Sequence, residues 1–311
     1  EPVVDRQNNT WRFDVKTGEP ADKKAVGKGT KLTRGKFFCL LSEQVISESY
    51  IKNEGKHNKI GYQLIAIVVE THHGRSYLSA FLGQQKNVES PVTIWEPTGP
   101  IPAKLSGGGT CVPYGFTQWK DIFSSRQLTA LTTFSDLIGS VHEIIGTDAK
   151  AAGLSDDNAT SYAATVTTFL ALILDRCADF NNSLCRWSPS NQKVMNLFGR
   201  QAIPMVWDFA EANILGNSVG AWQTCMEYVS DCIEVIGRAS IQSGDACQID
   251  AAGTWNNVHD ILVSTDPPYY DNICYAALSD FFYVWLRHTI GELYPDLFNT
   301  IVVPKAQELT A

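Results

Sequence analysis

The spacing of apolar positions changes along the chain, and the changes mark out its parts. Up to about residue 100, apolar residues alternate with polar ones or fall in short runs, which predicts strands. Trp11 to Val15 alternates, Phe37 to Leu41 is apolar, and Tyr62 to Glu70 reads as the strongest strand. His72-His73-Gly74-Arg75 then turns the chain into Ser76 to Phe81, which predicts a hairpin. From about Ser125 to Arg238 the period becomes helical. Helices are expected over 126–145, capped by Ser124-Ser125, and over 157–180, 191–212 and 219–238. Phe169 to Leu174 is too apolar to face solvent and belongs in a core. Beyond that region the pattern turns mixed. Ala239-Ser240-Ile241 and Ile261-Leu262-Val263 read as short strands, Leu278 to Leu293 as an amphipathic helix, and Ile301-Val302-Val303 as a candidate next strand.

These changes divide the chain into a β-rich region at 1–100, a linker and helical region at 101–238, and a mixed region at 239–311, giving an α/β class overall. The linker reading rests on Pro97, Pro100, Pro102 and Gly107-Gly108-Gly109. The triple glycine lacks the Lys-Ser/Thr of a phosphate-binding loop, and no strand leads into it.

Composition narrows the classes. With 311 residues, 44% hydrophobic and 19% charged, the chain can bury a large core. No stretch reaches the ~18 apolar residues that would span a membrane. The start, Glu-Pro-Val-Val-Asp-Arg, lacks the basic and apolar regions of a signal peptide and has no initiator Met. A processed product or a piece of a longer cytoplasmic protein is therefore expected. The eight cysteines form no C-x-x-C pair, which argues against a readable zinc site and suits a reducing compartment. Charge is uneven: residues 1–75 hold 13 Lys+Arg against 9 Asp+Glu, although the whole chain carries −8. Lys16 to Lys36 concentrates seven of these basic residues among four glycines. Lys28, Lys31 and Arg34 there are candidates for phosphate contact on a nucleic acid.

The chemistry converges on residues 258–275. Pro267 and Pro268 stop the strand of Ile261 to Val263 at once, which displays Asp266 at its carboxyl end, where open α/β sheets place ligands. Asp266 and the Pro267 carbonyl can accept both hydrogens of one exocyclic amine, and Tyr269 offers a flat face for stacking. Holding an aromatic amine that way favours the geometry in which its lone pair is free to attack.

Asp266-Pro267-Pro268-Tyr269 resembles the catalytic motif of amino-group DNA methyltransferases, on the adenine-N6 rather than the cytosine-N4 side. Gly244-Asp245-Ala246, about twenty residues earlier, resembles the segment in which Asp accepts from the cofactor's adenine amine. Three further segments, Gly115-Phe116-Thr117 with Arg126 to Leu131, Asn182 to Trp187 and Gln201 to Asn213, are similar to adenine-specific DNA methylases of the DUF1156 type. The resemblance implies part of a Rossmann-like class I sheet interrupted by a large insertion, and S-adenosylmethionine as cofactor. It also implies double-stranded DNA with a flipped adenine as substrate, and a role in phage defence or restriction. Asp266, Pro267, Pro268 and Tyr269 would be catalytic, Asp245 and Ala246 would bind the cofactor, and Tyr270 would join Tyr269 on the base. One departure stands out. The family's glycine-rich cofactor loop, Asp-Pro-Phe-x-Gly-x-Gly, has no counterpart in this sequence. That loop would then come from an upstream segment or another subunit. The alternatives are a non-catalytic DNA-binding or assembly subunit with a relic pocket, and methylation of RNA or a protein amide.

Overall fold

Tight turns, rather than long strands, shape the first part of the molecule. A computed structural model describes residues 1–33, 35–81, 95–105, 108–239, 244, 262–266 and 273–306. The chain is mixed α/β and divides into two units, Glu1–Val92 with Cys111–Phe116 and Thr93–Thr110 with Thr117–Ala311.

In the first unit, β1 (Pro2–Asp5) and β2 (Thr10–Phe13) pair as an antiparallel ribbon with Asp5 opposite Thr10. The Asp5 carboxylate accepts from the backbone N–H groups of Gln7 and Asn8 at 3.0 and 3.2 Å, which closes the turn. The basic stretch holds a short helix, α1 (Lys23–Lys28). Asp22 caps it, accepting from Lys24 and Ala25 N–H at 2.9 Å each. Two-residue strands β3 (Phe37–Phe38) and β4 (Val45–Ile46) follow, then α2 (Glu48–Lys56), capped by Ser47. Gly55 of α2 lies so close to the turn at Val112–Tyr114 that a Cβ there would stand 2.1 Å from the Tyr114 carbonyl oxygen. The hairpin expected around His72-His73 forms from β5 (Ala66–Thr71) and β6 (Gly74–Ser79).

The second unit is built on two long helices. α3 (Ser125–Ala151) starts at a capping box: Ser124 Oγ accepts from Gln127 N–H, and Gln127 Oε1 accepts from Ser124 N–H at 2.9 Å. α4 (Asp156–Phe180) places Asp156 and Asp157 in its first turn, which suits the positive end of the helix dipole. The two pack along each other through Leu131 and Ile138 on one side and Ala159, Ala163, Ala171 and Leu174 on the other. Of the Phe169–Leu174 run, Ala171, Ile173 and Leu174 are buried as expected, whereas Leu172 is exposed.

α5 (Trp222–Ala239) lies on α4, and α6 (Tyr275–Ile290) lies on both α3 and α4. α6 brings the largest rings into the core. Trp285 sits 5.2 Å from Trp95 and 5.6 Å from Phe123, and Phe281 sits 5.6 Å from Trp119 (centroid distances). Aromatic pairs at this spacing add to the energy of burial. Part of the segment read as a linker belongs to this core, because Pro97, Ile101 and Leu105 are buried. Gly108 is also explained by packing, since a Cβ there would meet the Ala202 Cβ at 2.6 Å.

Three expected elements differ. In place of a helix over 191–212 there is a ribbon of β7 (Arg186–Ser188) and β8 (Lys193–Met195), with Gln192 at φ +48° in its turn. The chain that follows hangs on Asp179 of α4, whose carboxylate accepts from Asn196 Nδ2 and Phe198 N–H at 2.9 and 3.0 Å. Those tertiary bonds take the place of a local helical ladder. Ile301–Val303 is not a strand. Val303 N–H donates instead to buried Asp280 at 2.9 Å, and Lys305 Nζ donates to the same carboxylate at 2.7 Å. Ala239 ends α5 and does not open a strand, while Ser240 and Ile241 lie outside the described residues.

Candidate functional site

An apolar run ending in Asp-Pro-Pro needs strands on both sides before it can be a buried central strand. The described strands are all taken up in four two-stranded antiparallel ribbons. Leu262 to Asp266 is accordingly unpaired and exposed, with Leu262 98% and Val263 69% accessible, where a buried strand was expected. The Asp266 carboxylate faces solvent. Pro267, Pro268, Tyr269 and Tyr270 lie outside the described residues, as do Asp245 and Ala246. Gly244 is exposed, and no atom of the described residues stands within 4 Å of where a Cβ would be.

The basic candidates lie on the first unit. Lys28 ends α1 and Lys31 bridges to Phe37, both exposed, while Arg34 is outside the described residues. Among the described residues no group of three His, Cys, Asp or Glu side chains is placed to hold a metal ion. Nor is any described helix long and apolar enough to cross a membrane.

The second unit contains a cavity of ≈ 340 Å³, within the size range of small-molecule sites. The start of α3 supplies Arg126, Gln127, Ala130 and Leu131, and the chain before α5 supplies Glu211 to Leu215. Arg126 clasps Glu211 through two bonds, Nε to Oε1 at 2.6 Å and Nη2 to Oε2 at 3.0 Å. Ser124 Oγ donates to the same carboxylate at 3.1 Å. These bonds hold the Arg126 guanidinium above its ordinary value. Asn181, at the end of α4, also lines the cavity and donates to the Cys177 and Gly220 carbonyls at 2.8 Å each. Gln127 is buried, and its Nε2 has no hydrogen-bond partner.

Two of the sequence segments carrying the family resemblance, Arg126 to Leu131 and Gln201 to Asn213, thus contribute to one cavity wall. The sequence points weakly to this place through the polar clusters Asn181-Asn182-Ser183 and Trp207 to Asn213. Asn182 and Ser183 serve structure instead: Asn182 Oδ1 accepts from Leu184 N–H at 3.0 Å and Ser183 Oγ donates to the Ile122 carbonyl at 2.7 Å.

Elsewhere in the unit, Cys177 of α4 and Cys225 of α5 are hydrogen-bonded thiols, an arrangement that raises Cys177, with burial adding to it, and lowers Cys225. Burial also pushes the Cys185 thiol up to about 12. The cysteines among the described residues are free thiols. No known protein family, curated protein or solved structure matches the chain.

Proposed function

We propose that this chain is the amine-binding part of an S-adenosylmethionine-dependent DNA methyltransferase acting on adenine N6, with a Rossmann-like sheet completed by strands beyond those described. The observation that carries the reading is Asp266-Pro267-Pro268-Tyr269, with its carboxylate open to solvent ahead of a helix anchored in the core. A base must leave the duplex to reach such a carboxylate. Asp266 and the Pro267 carbonyl would accept the two N6 hydrogens while Tyr269, with Tyr270, stacks on the ring. Two fixed acceptors aimed at a developing charge are a form of electrostatic catalysis. Bound S-adenosylmethionine would supply an electrophilic methyl group to the held amine, leaving as the neutral thioether, and the surplus amine proton would pass to water. Asp245 and Ala246 would receive the cofactor's adenine. Lys28, Lys31 and Arg34 would contact DNA phosphates. A role in restriction or phage defence follows from the family resemblance.

Exposed apolar surface supports a companion segment or subunit that covers it. The apolar stripe of α5 is buried at Cys225 but open at Ile233, Val235 and Ile236, just ahead of the two motifs. A sheet carrying the glycine-rich loop would bury these side chains, and the exposed Leu262 and Val263, at roughly 25 cal/mol per Å².

A second reading, a DNA-binding or assembly subunit with a relic pocket, is favoured by the missing glycine-rich loop. Titration calorimetry with S-adenosylmethionine separates the two. Heat of binding that Asp245→Ala removes supports the methylase. An absence of binding, both for this chain and for its complex with the proteins that co-purify with it, supports the relic.

A further inference from the structure

The cavity between the start of α3 and the chain before α5 plays no part in the methyl-transfer reading, so its chemistry stands apart from it. Its polar wall is electrically balanced, because Arg126 and Glu211 are paired two-pronged. Unused donor capacity remains on Arg126 and Gln127. A guanidinium carries five N–H groups, and only one on Nε and one on Nη2 are engaged by Glu211. The Gln127 side chain spends its oxygen on the Ser124 N–H and leaves both Nε2 hydrogens without an acceptor. A buried donor without a partner is uncommon and costly. Glu211 also lines the space, and its carboxylate would repel an anion seated beside it. The rest of the lining includes apolar side chains: Ala130, Leu131, Ile214 and Leu215.

We propose that this cavity is a binding site for a small neutral molecule bearing a carbonyl acceptor, such as a lactam or amide ring. The carbonyl takes a hydrogen bond from Arg126, and one from Gln127 once its carboxamide turns, while the ring lies against Ala130 and Leu215. Carboxylates and phosphates are rejected by Glu211. Gln127 Nε2 is sealed beneath the wall, so binding requires the carboxamide to turn toward the cavity.

The test is an NMR titration of the whole chain with δ-valerolactam and with uracil, using acetate and inorganic phosphate as anionic controls. Both lactams should shift the Gln127 side-chain amide resonances saturably, and the anions should not. Ala130→Leu fills the cavity from a helical position and should remove saturable binding. Gln127→Glu keeps an acceptor for the Ser124 N–H but removes the donors, and should weaken binding about tenfold, the equivalent of one hydrogen bond. Ala130→Leu and the parent chain should share one thermal midpoint, which keeps the test valid even where Gln127→Glu folds poorly. Unsaturable shifts with both lactams, equal binding by Ala130→Leu, or tighter binding of the anions would each overturn the assignment.

Discussion

Asp175 gives the sharpest energetic test of the second unit. It lies on α4 at 6% accessibility, and its Oδ1 has no hydrogen-bond partner. Burial without compensation pushes its carboxyl well above the usual carboxylate range. A raised carboxyl contributes stability that is complete below its unfolded pKa, about 3.9, and lost as pH rises through the folded value. At neutral pH the residue therefore works against folding. Asp175→Asn keeps the shape and cannot ionise. It should stabilise the protein at pH 7 by up to about 4 kcal/mol, at ~1.4 kcal/mol for each pH unit above the unfolded value over which folding requires the carboxyl to stay protonated. For a unit of this size that raises the thermal midpoint by roughly 2–4 °C per kcal/mol. Scanning calorimetry from acid to neutral pH should show the two proteins converging below about pH 4 and separating above it. An unchanged or lowered midpoint for Asp175→Asn at pH 7 would refute the reasoning and point to an ionised, partnered Asp175.

Other outcomes follow from packing and charge. Phe281→Ala removes a fully buried ring that packs against Trp119, Phe123 and Phe198, and should cost about 3–5 kcal/mol in denaturant unfolding. A loss under about 1 kcal/mol would mean that α6 is not seated in that core. Asp280→Ala strips the buried partner of Lys305 and Val303, and hydrogen exchange should speed up at Val303 while α3 stays protected. Lys28→Ala and Lys31→Ala should each lower the slope of log affinity for duplex DNA against log salt by about 0.9. Unchanged slopes would place the phosphate contacts elsewhere.

The long helices were legible because their signals are local. Ser124 and Gln127 form the capping box from positions three apart, and apolar spacing carries α3 and α4 from there. The His72-His73 hairpin was legible for the same reason. The expected helix over 191–212 failed because its competitor is remote: Asp179 takes Asn196 and Phe198 out of any local ladder. Composition misled at 95–105, where prolines suggested a linker although Pro97, Ile101 and Leu105 are core side chains. The cavity shows the same limit, since Arg126 and Glu211 are 85 positions apart and neither announces its partner. The proposal for Asp266 rests on four adjacent residues, whereas the strand expected before it is not formed at Leu262 to Asp266, because a strand depends on neighbours that a linear pattern does not specify.

The central claim concerns one carboxylate, and transfer of labelled methyl from S-adenosylmethionine to duplex DNA tests it most directly. The account predicts label recovered as N6-methyladenine by the parent chain with its companion proteins, falling by about 10²–10³ in Asp266→Ala with an unchanged unfolding midpoint. Equal labelling by Asp266→Ala, or no N6-methyladenine from the parent assembly, would contradict it.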